Sequence, residues 1–257
     1  PYWMAALAVD EVVRQVVSVG GDPDRLAILD NFCWGDPTRV EVLGSLVRAA
    51  LGCTDAAKAF GAPFISGKDS LYNEYRVGEK TIQIPGTLLI SGIGVMQDAG
   101  RAVSMEAKRP GDFLYMVGIT HKELGGSAYL CLLGVSGGQV PRVDFARAPA
   151  QTRARSHAIG RGLAAAAHDC SEGGLAVAAA EMAFAGGVGL TLELRGVGGD
   201  LREDEALFSE SASRILVEVS ADQAAAFEKV MSGHPIFRIG QFQAEPLFRV
   251  LDAQGQV

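Results

Sequence analysis

The chain has no apolar run long enough to cross a membrane. Its longest, Leu88 to Met96, is broken by Ser91, Gly92 and Gly94, whereas a spanning helix needs roughly 20 apolar residues. It shows no signal peptide either, so a cytoplasmic location and no membrane partner are expected. Aromatic residues make up 7% of the sequence, and Lys and Arg are scattered singly apart from Lys108-Arg109, in a chain of net charge -7. That excludes both the base-stacking platform and the basic stripe of a nucleic-acid-binding protein. The four cysteines, at 33, 53, 131 and 170, form no CxxC, and the histidines at 121, 157, 168 and 234 form no metal-ligand pair. Free thiols in a reducing compartment are expected, with neither a disulfide framework nor a zinc site. There is no GxSxG, and the one His beside a nucleophile in sequence is His168, next to Cys170; no covalent mechanism is assigned. An initiator Met is also lacking. The chain opens at Pro1 directly into a helical pattern, as expected of a piece of a longer protein.

What is present is the composition of a globular protein, 48% hydrophobic and 21% charged over 257 residues, enough for one large or two ordinary domains with buried cores. Val9, Val13 and Val16 recur at helical spacing, with Asp10, Glu11, Arg14 and Gln15 between them, so Trp3 to Val19 reads as a helix that Gly20-Gly21 stops. Arg25 to Asp30 reads as a short buried strand and Asn31 to Pro37 as a loop at its end. Thr38 to Phe60 reads as a helix with a break near Gly52. Pro63 to Ile65 and Leu71 to Val77 read as strands on either side of a turn, Ser66 to Ser70. Thr87 to Met96 reads as a buried strand. Turn residues cluster between 98 and 110, which places one unit at 1–105 and a second at 106–257. In the second, strands are expected at Phe113 to Val117, Leu190 to Leu194, Arg214 to Val219, Phe237 to Phe242 and Phe248 to Leu251. A short helix is expected after Leu124-Gly125-Gly126-Ser127. Longer ones are expected at Gln151 to Ala167, Leu175 to Ala185, Glu203 to Phe208 and Ala221 to Met231. Alternating strands and helices make an α/β or α+β fold.

Several stretches carry chemistry. Ser66-Gly67-Lys68-Asp69-Ser70 places a glycine that allows close backbone approach beside a cation, a carboxylate and two hydroxyls, which suits a phosphate and a metal ion together; a charged hairpin turn would look the same. Asp30 ends a strand, where α/β folds gather ligands, or else caps the following turn. Asp169 to Gly174 precedes a helix, either as an ordinary cap or as an anion site. Glu210, Ser211 and Arg214 sit in a turn just before a strand.

These stretches together resemble one family. LDNFCWGDP at 29–37, GAPFISGKDSLYNEY at 61–75, TLLISGIGV at 87–95, KRPGDFLYMVGIT and ELGGS between 108 and 127, AHDCSEGGLAVAAAEMAFAGG at 167–187 and LFSESASRILVEV at 207–219 look like phosphoribosylformylglycinamidine synthase, more narrowly its synthetase subunit II. That family's chain carries two tandem copies of a two-domain unit of the aminoimidazole ribonucleotide synthetase type. This sequence resembles most of the second copy, its first domain truncated at the N-terminus. The resemblance implies an ATP- and magnesium-dependent ligase of purine biosynthesis. Such an enzyme converts formylglycinamide ribonucleotide and glutamine-derived ammonia into the amidine through an iminophosphate, with a glutaminase subunit and a small bridging subunit as partners. Carried over by position, Asp30 and Gly67 match ATP-contacting residues and Ser70 a substrate-contacting serine. Lys68 replaces an Asn that holds magnesium in many members, so Lys68 is expected on phosphate and Asp69 becomes the nearer metal carboxylate. Glu210 and Ser211, followed by Ala212 where an amide side chain is expected, are assigned to structure or to a second, non-catalytic nucleotide site. The family's catalytic His and most of its metal carboxylates belong to the first copy, so this piece alone is expected to be inactive. A scaffold role, or kinship with selenophosphate synthetase or thiamine-phosphate kinase, are the alternatives.

Overall fold

The computed structural model describes residues 1–252 and 254–256; the expected end of the second unit at 257 lies outside them. The chain folds around two sheets. The first has the order β2-β1-β5, made of β1 (Leu26–Cys33), β2 (Phe64–Ser70) and β5 (Thr87–Gly94). β1 runs parallel to β2 and antiparallel to β5. Helices α1 (Tyr2–Ser18) and α2 (Val40–Phe60) cover one face, burying Ile28 and Phe32 with Leu88 and Ile90. α1 lies so close that a Cβ on Gly92 or Gly94 would stand 2.4 Å from Val12 or Val16. A small hairpin, β3 (Glu74–Val77) and β4 (Lys80–Gln83), hangs beside this sheet.

The second sheet has the order β11-β8-β10-β6-β9-β7. Its strands are β6 (Phe113–Val117), β7 (Ala166–Asp169), β8 (Gly189–Glu193), β9 (Ile215–Val219), β10 (Ile236–Gln243) and β11 (Phe248–Leu251). Neighbours are antiparallel except β8 and β11. The five residues of β6 show why a near-continuous apolar run is needed at the centre. Leu114 and Met116 pack toward α5 (Gly174–Gly186) and α6 (Glu203–Phe208). Tyr115 and Val117 pack toward α4 (Ala148–Gly160) and α7 (Ala224–Val230). A short α3 (Ala128–Leu132) is capped by Ser127, whose Oγ accepts from Leu130 N at 3.2 Å.

Five expectations need correction. Asn31 to Cys33 are strand, because β2 and β5 pair with them on both sides, and ladder bonds override the turn preference of Asn. Ser66 to Ser70 are strand for the same reason, and the turn falls at 71–73, where Tyr72 has φ 59°. α2 runs unbroken through Gly52, whose glycine serves helix contact: a Cβ there would lie 2.2 Å from Tyr2 O. β5 is buried on one face only, with Leu89 and Ile93 each 60% exposed on the other. Finally, the Ala-rich helix stops at Gly160. Gly162, at φ 70°, closes it with Leu163 N donating to Ala158 O and Gly162 N to Ile159 O, a left-handed C-terminal cap. Ala166 to Asp169 then pair with β9, despite the helix preference of alanine.

Candidate functional site

Side chains of directly paired residues in a sheet point to the same face, and successive residues alternate. The β1–β2 register pairs Asp30 with Gly67, Asn31 with Lys68, Phe32 with Asp69 and Cys33 with Ser70. Asp30, Gly67 and Asp69 therefore share the helix-covered face with buried Phe32, while Asn31, Lys68 and Ser70 share the open one. The contacts agree. The Asp30 carboxylate lies over Gly67, where a Cβ would meet Oδ1 at 2.3 Å, so any side chain here would displace that carboxylate. Burial, and then the charge of Asp69, push the Asp30 carboxyl above its ordinary value. Lys68 Nζ donates to Ser70 Oγ. The expected five-residue loop is thus a strand with two chemically distinct faces: a carboxylate pair beside a bare backbone, and an ammonium with a hydroxyl.

The end of this strand pair is fixed from below. Trp34 N donates to Ser70 O at 2.8 Å and its buried indole donates to Ser45 Oγ at 2.8 Å. Asn73 Nδ2 donates to Ser70 O at 2.7 Å. Two carboxylates suit a magnesium ion that takes its remaining ligands from phosphate and water; among the described residues no group of three or more acidic, His or Cys side chains could hold a metal alone.

The second unit brings the Asp169–Gly174 and Leu207–Arg214 stretches together. Glu210 Oε1 accepts from Gly173 N at 2.8 Å and Ala128 N at 2.9 Å, so its carboxylate already fills the anion position at the start of α5. Ser211 Oγ accepts from His121 N at 3.0 Å. Buried Arg214 shapes this turn, donating to Ser211 O and Thr120 Oγ1 at 3.0 Å each and to Ser209 O. Ser213 sits at φ 60°, a left-handed conformation that a side chain adopts at a cost. Asp10 of α1 holds it there, accepting from both its N, at 2.9 Å, and its Oγ. Gln151 and Arg155 each donate to Ser213 O at 2.9 Å.

Arg14 joins the units. Its Nε lies 2.9 Å from Asp10, and its Nη1 donates to Cys170 O at 2.6 Å and approaches Asp169 at 3.4 Å. Burial works against its charge, but Asp10 and Asp169 hold its pKa above the ordinary value. Burial lowers Arg155 to about 10.

Sequence reasoning placed Asp10 and Arg14 between the valines of α1 without giving them a role, and passed over Arg155. The available signal was that valines at 9, 12, 13, 16 and 17 leave α1 little room for a wet face at all. His168 pairs with Glu181 at 2.7 Å, and burial raises the Cys170 thiol, so neither forms a nucleophile–base pair. All four cysteines are free, and no helix among the described residues is long and apolar enough to cross a membrane.

Known proteins match along the whole length. A curated relative in Deinococcus radiodurans, phosphoribosylformylglycinamidine synthase subunit PurL, is 38% identical over 96% of this chain and 33% of its own length. The protein of that name in Thermococcus sibiricus is 42% identical over 84% of this chain and 30% of its own. The chain thus spans about a third of the length of these relatives. Among solved structures, Thermotoga maritima PurL complexed with FGAR superposes with a TM-score of 0.78 at 23% identity, covering 100% of this chain and 42% of that one. A HypE–HypF complex superposes at 0.73 and 20% identity, covering 98% and 82%; both are likenesses of fold. The family model of the AIR synthase related protein, N-terminal domain, matches residues 1–96 and that of its C-terminal domain matches 109–252: the chain belongs to the AIR synthase related proteins.

Proposed function

We propose that this chain is the nucleotide-facing part of a phosphoribosylformylglycinamidine synthase, with its two units meeting near residue 105. The enzyme transfers the γ-phosphoryl group of ATP to the formyl amide oxygen of formylglycinamide ribonucleotide. Ammonia, derived from glutamine by a glutaminase subunit that docks with a small bridging subunit, then displaces phosphate to leave the amidine. The observation that carries this reading is the 38% identity to PurL across 96% of the chain. The strand pair supports a division of labour within it. Gly67 presents bare backbone to the nucleotide, and Asp30 with Asp69 would take a magnesium ion. A bound magnesium ion would supply charge neutralisation for the polyphosphate. Lys68 and Ser70, side by side on the open face, serve the phosphate-bearing substrate. This moves Lys68 away from the nucleotide, whose phosphate its charge had been expected to contact.

The test is binding in the intact enzyme. Asp30→Asn is expected to weaken MgATP about tenfold or more and to leave formylglycinamide ribonucleotide nearly unchanged, while Ser70→Ala and Lys68→Ala do the reverse. A Lys68→Ala enzyme that loses ATP affinity instead returns Lys68 to the nucleotide. One observation favours a second reading, a scaffold with a remnant site: Glu210 is tied up in capping α5. Calorimetric titration of the chain alone with MgATP separates the two, since a scaffold with a self-sufficient remnant binds without the rest of the protein.

A further inference from the structure

Helix α2 covers the first sheet with one side and carries an apolar stripe on the other. Val40, Leu43, Val47 and Leu51 recur at steps of three and four residues, the spacing of one helix face. Each is between 46% and 84% exposed, so among the described residues nothing covers the stripe. It extends over about three turns, roughly 17 Å at the rise of an α-helix. A contiguous apolar face of this kind on a surface helix marks a contact.

Gly44 lies in the middle of the stripe. A glycine in a helix interior is unfavourable, and the fold makes no use of this one: an added Cβ would meet no atom within 4 Å. Gly52, one face over, is needed to admit Tyr2 O. Bare backbone between exposed Leu43 and Val47 is what the close approach of another helix requires.

Charge identifies that helix. Glu41 and Arg48 are seven residues apart, nearly two full turns, and so lie on the same flank of the stripe. Both are exposed, and neither forms an ion pair among the described residues. Consider a second α2 laid antiparallel across the first, with a two-fold axis beside Ser45 and normal to the plane of the two helices. Residues equally far from 45 then face one another. Leu43 meets Val47 of the copy, Val40 comes within one position of Leu51, and Glu41 comes within one position of Arg48. This axis sets each flank against the same flank of the copy, so Glu41 and Arg48 meet as opposite charges twice. A parallel copy would instead set Glu41 beside Glu41 and Arg48 beside Arg48. One centre serves both the apolar and the charged contacts, as a self-complementary isologous contact requires.

We propose that the outer face of α2 docks a second copy of this chain, the two helices packing antiparallel about a two-fold axis near Ser45. The contact lies on the side of α2 away from the sheet, so the open face bearing Lys68 and Ser70 stays uncovered. The reading does not depend on the proposed activity. One helix pair is small for an interface, so the dimer is expected to be weak, with a Kd of about 100 µM.

The test is sedimentation velocity of the full chain under reducing conditions, from about 10 µM to 1 mM. A monomer passing to a dimer across this range is expected. Val47→Glu should weaken the dimer at least about tenfold by putting a charge at its apolar centre. Glu41→Arg and Arg48→Glu should each weaken it about tenfold, because each sets like charges together at two places. The double variant carrying both should recover the parental Kd, since it restores both pairs with their signs exchanged. An unaltered melting temperature at low concentration shows that each variant is folded. A monomer throughout the range, a dimer that Val47→Glu leaves intact, or a double variant as weak as the single ones would each overturn the proposal.

Discussion

Asp10 is the residue on which the most structure depends. One carboxylate, 1% exposed, takes both donors of a strained Ser213 and faces Arg14. Removing it leaves a buried guanidinium with Asp169, at 3.4 Å, as its remaining ion pair and a left-handed serine with no tie to α1. Asp10→Ala should therefore cost about 3 kcal/mol in chemical denaturation, as breaking a buried pair does. Ser213→Gly should be nearly neutral, because the lost hydroxyl bond is offset by relief at φ 60°. Were Ser213→Gly as damaging as Asp10→Ala, the hydroxyl rather than the carboxylate would be the centre of the cluster. At this scale the sequence was legible where chemistry is local. Gly67 was singled out as a place of close backbone approach, and the structure puts the Asp30 carboxylate over it, in a strand and not in the expected turn. Asp10 and Arg14 were not, since an acid and a base at helical spacing look the same on a wet face as on one covered by a second unit 155 residues away in sequence.

Elements show where local preference lost to pairing. Helix α1, with clear 3.6-residue periodicity, could be placed to within a residue or two, and so could α5, an apolar alanine-rich run bounded by Gly173-Gly174 and Gly186-Gly187. The strands β2 and β7 could not, because what makes Gly67 to Ser70 and Ala166 to Asp169 extended is a neighbouring strand, and no residue within them announces it. Gly52 and Gly44 make the same point inside α2. A glycine in a helix interior normally costs about 1 kcal/mol against alanine. At Gly44 nothing lies within 4 Å of an added Cβ, so Gly44→Ala should stabilise by up to about 1 kcal/mol. At Gly52 the added carbon would meet Tyr2 O at 2.2 Å, so Gly52→Ala should destabilise by about 1–3 kcal/mol as α1 is pushed off α2. Paired melting curves of the two variants read the difference directly. Two stabilising substitutions would mean that α1 and α2 are not held this close.

The behaviour of the whole molecule with pH depends on how the second unit is entered. Glu218 of β9, fully buried, accepts from Lys108 N at 3.0 and 2.8 Å and from Arg109 N at 3.0 Å, and so anchors the segment that leads into the second sheet. Asp112 is buried beside it and receives the Arg109 side chain at 3.4 Å. Burial first, and then Asp112, push the Glu218 carboxyl from 4.5 to about 7, while the two backbone donors pull the other way. A carboxyl that holds its proton more tightly folded than unfolded gives its stability below the unfolded value and loses it as pH rises through the folded one. The loss should fall between about pH 4.5 and 7 and amount to on the order of 1–3 kcal/mol. Exposed carboxylates held low, such as Glu106 at about 2 beside Lys108 and Ser104, titrate below this window and do not mask it. Glu218→Gln keeps an oxygen for the two backbone donors and offers Asp112 an amide hydrogen at every pH. The variant should therefore be more stable than the parent at pH 8, about equal at pH 5, and lose less between them in urea midpoints, what loss remains coming from other raised carboxyls such as Asp30. A parent that gains stability from pH 5 to 7 relative to Glu218→Gln would show that the carboxylate is ionised and welcome in the fold, and that the Lys108 and Arg109 amides outweigh its burial.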